Sequence, residues 1–546
     1  MRTILLITAL APGIALAQLG SRSSSGSTSV ASQLPLSGRT AETGSATAAQ
    51  TPIPGATTSV NAINTTVQVS GPYAGSSPST LKRPFNGKLS FREAIQRALE
   101  FNLGSIGLST AVRQARGQAV VSRSNLLPNL SGAFSEHYLT TDIATTGIQG
   151  AIGNAIGSSL TNATGGRPLS LRLPNVVGPI NYFDLRVTLT QNFVDLTALN
   201  NYRSSKYVVE ANEAAMQDTR DTVVLAVGAS YLQVIAAKAR VASERAQLET
   251  SDAVYQQTLK RRGEGLAAQL DLNQDRVRAQ TERQRLATME NDLYRQKINL
   301  ARLTGLPPNE DYDISDDFGF SPAPALSVNE AVEQALGGRA DLKAAEAQLR
   351  AAEKTLAAAR AERLPSLSLS ADLGEIGTRF SQADHTYTVT GTLNIPIWQG
   401  GRVRGDIEQA QAALDQRRAE LADMRARIES DVRNAYLDLQ AAASQFELSK
   451  NNQQVARENL RLTQEKFETG ISDSVEVSQS RQAVASADLD YITALFAHNL
   501  AKLSLARALG GAEGRLGEYL GRDLSASNRG NTDTVPAVPN ALTAAK

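Results

Sequence analysis

The chain has 546 residues, 5% aromatics, a single Trp, no cysteine and a net charge of +1. So few aromatics cannot fill several large globular cores, and interspersed charges leave no basic stripe for nucleic acid. The lack of cysteine excludes disulfides, thiolate metal sites, a cysteine nucleophile and an acylated N-terminal cysteine.

Met1-Arg2, the apolar run 4–16 and the ending Ala15-Leu16-Ala17 read as a secretory signal over residues 1–17, cleaved before Gln18. The run is too short to span a bilayer, and no other segment approaches the ~20 continuous apolar residues that a membrane helix needs. Residues 18–85 are rich in Ser, Thr, Gly, Ala and Pro and read as a disordered extension, with too little apolar surface to offset ordering. From 86 the pattern turns helical, and Ala, Gln, Arg, Glu and Leu dominate, as in long packed helices. Ser90-x-x-Glu93 predicts a capping box, and the helix runs until Leu127-Pro128, where proline stops it.

Alternation of apolar and polar residues then predicts strands at 129–140 and 181–193. It is carried by Leu130, Gly132, Phe134 and Tyr138, and by Phe183, Leu185, Val187 and Leu189. The glycine-rich stretch 139–179 between them is expected to be an extracellular loop partly covering the mouth of a barrel. Helical pattern from Phe193 to Gly265 covers about 70 residues, a helix roughly 100 Å long. A shorter arm then runs from Gly265 to Gly305.

Residues 311–325 read as a linker, after which the pattern restarts. Leu89-Ser90-Phe91 with Ala94 and Ala98 recurs as Leu326-Ser327-Val328 with Ala331 and Ala335. Val223, Val227, Tyr231 and Val234 recur as Ile428, Val432, Tyr436 and Leu439, and Gly265 and Gly305 as Gly470 and Gly510. The chain is thus two diverged copies, 86–310 and 326–512, each a whole supersecondary assembly rather than a solenoid unit. The second copy has its own capping box at Ser327-x-x-Glu330, strands predicted at 366–376 and 386–397, and a disordered tail at 513–546.

Strands of about 9–11 residues suit a tilted bilayer crossing, and their small hydroxylated face suits a wet lumen. The plainer alternative is a soluble sheet lying on the helices. Four strands cannot close a barrel, and open edges are not tolerated in lipid, so several chains must each contribute. In each copy the two short arms together match the long helix, giving four helix widths for four strands. Both a hollow tube and a solid bundle fit that arrangement. Gly265 and Gly470 mark the far ends of the hairpins. Each reads first as a helix-ending glycine, with Asp473-x-x-Glu476 restarting the second hairpin, and second as a docking knob with the exposed residue beside it.

The run Asn394-Ile395-Pro396-Ile397-Trp398-Gln399-Gly400-Gly401-Arg402 resembles the strand-to-helix junction of TolC-type outer-membrane efflux proteins, the outer membrane factors. So do Gly470-Ile471-Ser472-Asp473-Ser474-Val475-Glu476-Val477, Ala483 and Leu505-Ala506-Arg507-Ala508-Leu509-Gly510, and the resemblance covers roughly 89–510. It implies an α+β membrane protein, internally duplicated. Long helical hairpins would form a periplasmic α-barrel, and four transmembrane strands per chain would contribute to a trimeric 12-stranded β-barrel in outer-membrane lipid. The implied partners are a periplasmic adaptor and an inner-membrane pump of RND, ABC or MFS type, with no cofactor and no nucleic acid.

The resemblance assigns adaptor docking to Gly265, Leu266 and Ala267 and to Gly470, Ile471 and Ser472. It places Asp271 and Glu476 at the periplasmic entrance, where a ring of carboxylates favours cations. Gln479 stands where well-known members carry a second acid, and Phe467 where they carry a tyrosine, so charge and latch must differ here. The reading is a passive exit duct of a tripartite efflux or type I secretion system. The alternative is a periplasmic coiled-coil scaffold or adhesin without a pore. An enzyme is not expected: His137, His385 and His498 are scattered, and neither His-x-x-x-His nor Gly-x-Ser-x-Gly spacing occurs.

Overall fold

The computed structural model describes residues 46–52, 63–78, 85–142, 176–265, 267–316, 318–322, 326–469 and 474–520. The signal at 1–17, most of the glycine-rich loop and the tail beyond 520 lie outside the described residues.

The first described elements fall inside the stretch expected to be disordered. Strands β1 (Ala46–Pro52) and β2 (Ile63–Val69) pair antiparallel, and a 3-10 turn follows at Gly71–Ala74. Tyr73 holds this segment to the helical body: its hydroxyl lies 3.2 Å from Thr219 Oγ1, and Asn102 Nδ2 donates to its carbonyl at 2.8 Å. The expectation of disorder over 18–85 is therefore corrected for these residues. Composition measures what a segment buries on its own, whereas this one packs on a surface supplied by others.

β3 (Lys88–Leu89) precedes helices α1 (Phe91–Phe101) and α2 (Leu103–Ser124). One helix was expected here, but it breaks at Asn102, whose side chain accepts from Gly104 N at 2.9 Å and so caps α2. Ser90 caps α1 by accepting from Glu93 N at 3.2 Å, while the Glu93 carboxylate turns to Arg97 at 3.0 Å.

Beyond α2 come β4 (Asn129–Asp142), β5 (Val176–Val194), the long α3 (Leu196–Gly263) and its return arm α4 (Gln269–Thr304). β6 (Asp313–Ile314) pairs in parallel with β3. The described part of the expected linker at 311–325 is thus packed as a strap, with Tyr312, Ile314 and Phe318 buried in the core. α5 (Val328–Gly338) starts with a complete capping box at Ser327 and Glu330 and breaks at Arg339 into α6 (Ala340–Ala361). β7 (Ser366–Gly377), β8 (Asp384–Asn394), α7 (Arg402–Glu468) and α8 (Ser474–Ala508) complete the second copy. α9 (Ala512–Leu520) occupies the start of the expected disordered tail, held by Arg220 to Glu513 at 2.7 Å and by Asp221 accepting from Gly511 N at 3.0 Å.

The four long strands form one antiparallel sheet in the order β4-β5-β7-β8. Register puts Phe134 opposite Leu185, Val187 opposite Leu373, and Leu373 opposite Tyr387, so one face is apolar across all four strands. The other face presents Ser131, Thr188, Ser370 and Thr390, with Arg186 bridging Asp184 and Asp372 across the strands. β8 stops at Asn394, short of the expected 397. Pro396 offers no N–H to a ladder, and Ile397 and Trp398 are 95% and 86% exposed.

The helices repeat the strand order below the sheet. α3 packs against α2 and α4 on one side and against α6 and α8 on the other, and α7 packs on α6 and α8. Each strand pair therefore stands on its own long helix and short arm. Two cores bind the layer at mid-height. Leu89, Phe91, Val227, Tyr231, Leu300 and Leu503 lie in the first, and Ile428, Val432, Leu439, Leu505, Leu509 and Tyr519 in the second.

Enclosure on both sides accounts for the apolar middle of α3. A window there is apolar enough, by length and composition, for a membrane span, but is 78% buried inside the body. α7 lies at an edge of the layer and is only partly enclosed. Its equivalent stretch alternates buried Ile428 and Val432 with exposed Arg427 and Arg433.

Candidate functional site

The hairpin ends furthest from the sheet are the candidate site. At the first, α3 closes with Glu264 N donating to Lys260 O at 3.1 Å and Gly265 N to Arg262 O at 2.9 Å. Gly265 has φ +78, and no atom stands within 4 Å of where its Cβ would be. The left-handed backbone, not crowding, accounts for glycine there. Ala268 precedes α4 and supplies no side-chain cap, so Asp271 in the first turn is the acid best placed against the helix dipole. Asp271 is exposed and Ala267 half-buried, whereas Leu266 lies outside the described residues.

At the second end, Thr469 caps α7, its Oγ1 donating to Glu465 O at 3.1 Å and Lys466 O at 3.0 Å. Gly470, Ile471, Ser472 and the expected cap Asp473 lie outside the described residues. Glu476 falls in the first turn of α8 and is exposed, as is Gln479 one turn on. Glu476 also lines a shallow groove of about 550 Å³ along this hairpin, with Leu462, Thr463, Lys466, Thr469 and Ser480.

Residues not singled out in the sequence join the two hairpins just above their ends. Arg278 on α4 donates to the Ser478 hydroxyl and, at 3.0 Å, to the Ser478 carbonyl on α8. Arg481 stands beside it with its Nε buried and unpartnered. Burial and the Arg278 charge hold the Arg481 pKa below its usual value, and Asp275 opposes them. Asp275 itself accepts from Thr258 Oγ1 at 2.6 Å. The result is two guanidiniums and one carboxylate between hairpins, a contact that is bonded at one point and repulsive at another. The one available signal was divergence: the repeat register puts Ala483 where the first copy has Arg278.

Among the described residues no cluster of three or more His, Asp or Glu is arranged to hold a metal. The described residues of the site offer charge and hydrogen bonding.

A family model described as outer membrane efflux protein matches residues 108–306 and 331–511, one match per copy. The chain belongs to the outer membrane efflux protein family. Membership places the protein in the outer membrane.

The pyoverdine export outer membrane protein OpmQ of Pseudomonas aeruginosa is 24% identical over 427 residues, covering 76% of this chain and 84% of its own. The protein of the same name from Pseudomonas putida is 25% identical over 305 residues, 56% of this chain and 65% of its own, so that match spans less than two thirds of the relative. Among solved structures, the outer membrane protein VceC of Vibrio cholerae superposes with a TM-score of 0.63 at 19% identity, over 77% of this chain and 96% of that one. The outer membrane channel CmeC of Campylobacter jejuni gives 0.63 at 18%, over 80% and 90%. These likenesses establish the fold that the efflux family shares with this chain.

Proposed function

We propose that three copies of this efflux protein close into a duct, a 12-stranded barrel in the outer membrane continued by a helical tunnel through the periplasm. The observation that carries the reading is the matched order of the two layers. Sheet and helices leave the same two edges open, β4 with α2 and α4 on one side, β8 with α7 on the other. Both edges carry exposed apolar side chains, Val120, Val277 and Tyr294 on the first and Leu437, Leu448 and Val455 on the second. Open strand edges in lipid need partners, and a ring of copies supplies them. Substrates pass along the hydroxylated face from a periplasmic adaptor and inner-membrane pump, and the protein performs no chemistry on them.

In this reading Gly265, Leu266 and Ala267, with Gly470, Ile471 and Ser472, dock the adaptor, and Asp271 and Glu476 face the entrance, followed by Gln479. The Arg278–Ser478 bonds hold the hairpins together, and adaptor binding spreads them. The test is reconstitution in planar bilayers, with the detergent-solubilised mass measured alongside. A trimer is expected. Glu476→Ala is expected to weaken cation selectivity, and Arg278→Ala to raise conductance several-fold. A monomer extracted by salt alone supports a scaffold without a pore, and unaltered selectivity removes Glu476 from the entrance.

A further inference from the structure

The apolar face of the four-stranded sheet has a border at the end away from the helices. Facing side chains form rows across the strands. The outermost rows carry acids: Glu136 beside Phe183 and Gly377, then Leu185 beside Glu375 and His385. The next two rows are uncharged, Gly132–Val187–Leu373–Tyr387 and Leu130–Leu189–Ala371–Val389. The face continues through the exposed Leu393 and Ile395. From Tyr387 to Ile395 the chain rises roughly 27 Å, about 20 Å of height at a tilt of about 40°, close to the ~25 Å apolar band of an outer-membrane barrel. The Glu375 carboxylate, 3.2 Å from His385 Nδ1, marks the upper edge of that band, since hydrocarbon disfavours charge.

The turn between β7 and β8 folds back over this border on the apolar side. Phe380, in the 3-10 turn Phe380–Gln382, stacks on Phe183 with ring centroids 4.4 Å apart and lies 6.4 Å from Phe134 at an interplanar angle of 11°. Phe183 is therefore 6% exposed, although Phe134, Leu185 and Val187 around it are all exposed. The fold-back is tight. A Cβ on Gly377 would stand 2.8 Å from both Gln382 O and Ala383 Cα, and Gln382 N donates to Arg379 O at 3.0 Å. A turn aimed across the mouth would have left Phe183 bare.

Phe380 itself keeps 72% of its surface open. On β4, one row beyond Glu136, the exposed Tyr138 donates its hydroxyl to Glu136 Oε1 at 2.7 Å. Aromatic rings at the edge of an apolar band fit the boundary between acyl chains and headgroups. We propose that the 378–383 turn is a lipid anchor, with Phe380 seated at the headgroup boundary of the outer leaflet. The second copy's loop then grips the bilayer and leaves its side of the mouth uncovered.

The inference rests on the barrel reading above. Its test is tryptophan fluorescence of the intact protein in bilayers, in a Trp398→Phe background that removes the sole native indole. Phe380→Trp is a conservative change at an exposed site and is expected to keep the fold. Its indole is expected to lose emission several-fold to lipids brominated near the headgroup end of the chain, and little to aqueous acrylamide. Tyr182→Trp, on the opposite face of β5 beside Phe183, is expected to show the reverse. Leu373→Trp, just inside the band, reports whether the sheet lies in lipid at all. Bromolipid quenching in Leu373→Trp but not in Phe380→Trp overturns the anchor and leaves the barrel standing, whereas quenching in neither overturns both. An indole in Phe380→Trp shielded from both quenchers assigns the site to a second copy of the chain and also overturns the proposal.

Discussion

Tyr231 shows how a single side chain ties the parts of the first copy together. Its hydroxyl lies 3.0 Å from Leu89 O and 3.1 Å from Asp316 Oδ2, joining the long helix to β3 and to the strap, and burial with the Asp316 charge pushes its pKa up. Removing the hydroxyl takes away its one shared proton, while Leu89 O keeps Ser315 N and Asp316 Oδ2 keeps Phe91 N as donors. Tyr231→Phe is therefore expected to cost about 0.5–1.5 kcal/mol in denaturant unfolding. Tyr436→Phe, at the half-buried equivalent, is expected to stay within about 0.5 kcal/mol. Lys502 gives a pH signature at the same scale. Fully buried and bonded to Ser321 O at 3.0 Å and Oγ at 2.7 Å, it has its pKa lowered by burial from 10.5 to about 8. The unfolded chain then holds the extra proton between those values, so stability is expected to rise with pH across that window. In Lys502→Met, pH-dependent melting should lack that rise.

Among the elements, the strands and the hairpin arms were the most legible in the sequence. Strict alternation survives in β7 and β8 because one face is polar along both strands, with Ser368, Ser370 and Asp372 opposite Thr392, Thr390 and Thr388. The breaks at Asn102 and Arg339 were not legible. Apolar positions keep their helical spacing across both, and the chain bends because of distant partners. Asn102 reaches Tyr73, and Arg339 reaches Asp431 at 3.2 Å. The Arg278–Ser478 contact escaped for a related reason: a repeat register aligns positions within copies and says nothing of contacts between them. Helix contact also explains a glycine that the turn patterns did not mark. A Cβ on Gly228 of α3 would stand 2.6 Å from Leu503 Cδ2 of α8. Gly228→Ala is expected to cost about 1–3 kcal/mol by overpacking, read as a lowered melting temperature.

At the level of the whole molecule, the two copies play unequal parts. α3 is enclosed on both sides, and α7 is the edge. An edge substitution should therefore spare the protomer and damage assembly. In the proposed ring of copies, Val455→Glu is expected to keep the circular-dichroism spectrum and reduce the detergent-solubilised mass to that of a monomer, whereas a change at Val227, buried in the first core, should unfold the chain itself.

The mid-height cores also set a mechanical scale. Below them the long helices run on with few buried large side chains, from Ala236 to Gly263 in the first copy, an arm of roughly 40 Å. Such an arm is a lever whose fulcrum is the belt formed by α1, α5, α9 and the strap that carries Tyr312, Ile314 and Phe318. A tilt of about 10° at the belt carries the far end roughly 7 Å, a displacement large enough to widen an aperture. Wide travel at the periplasmic end thus needs no melting anywhere in the body.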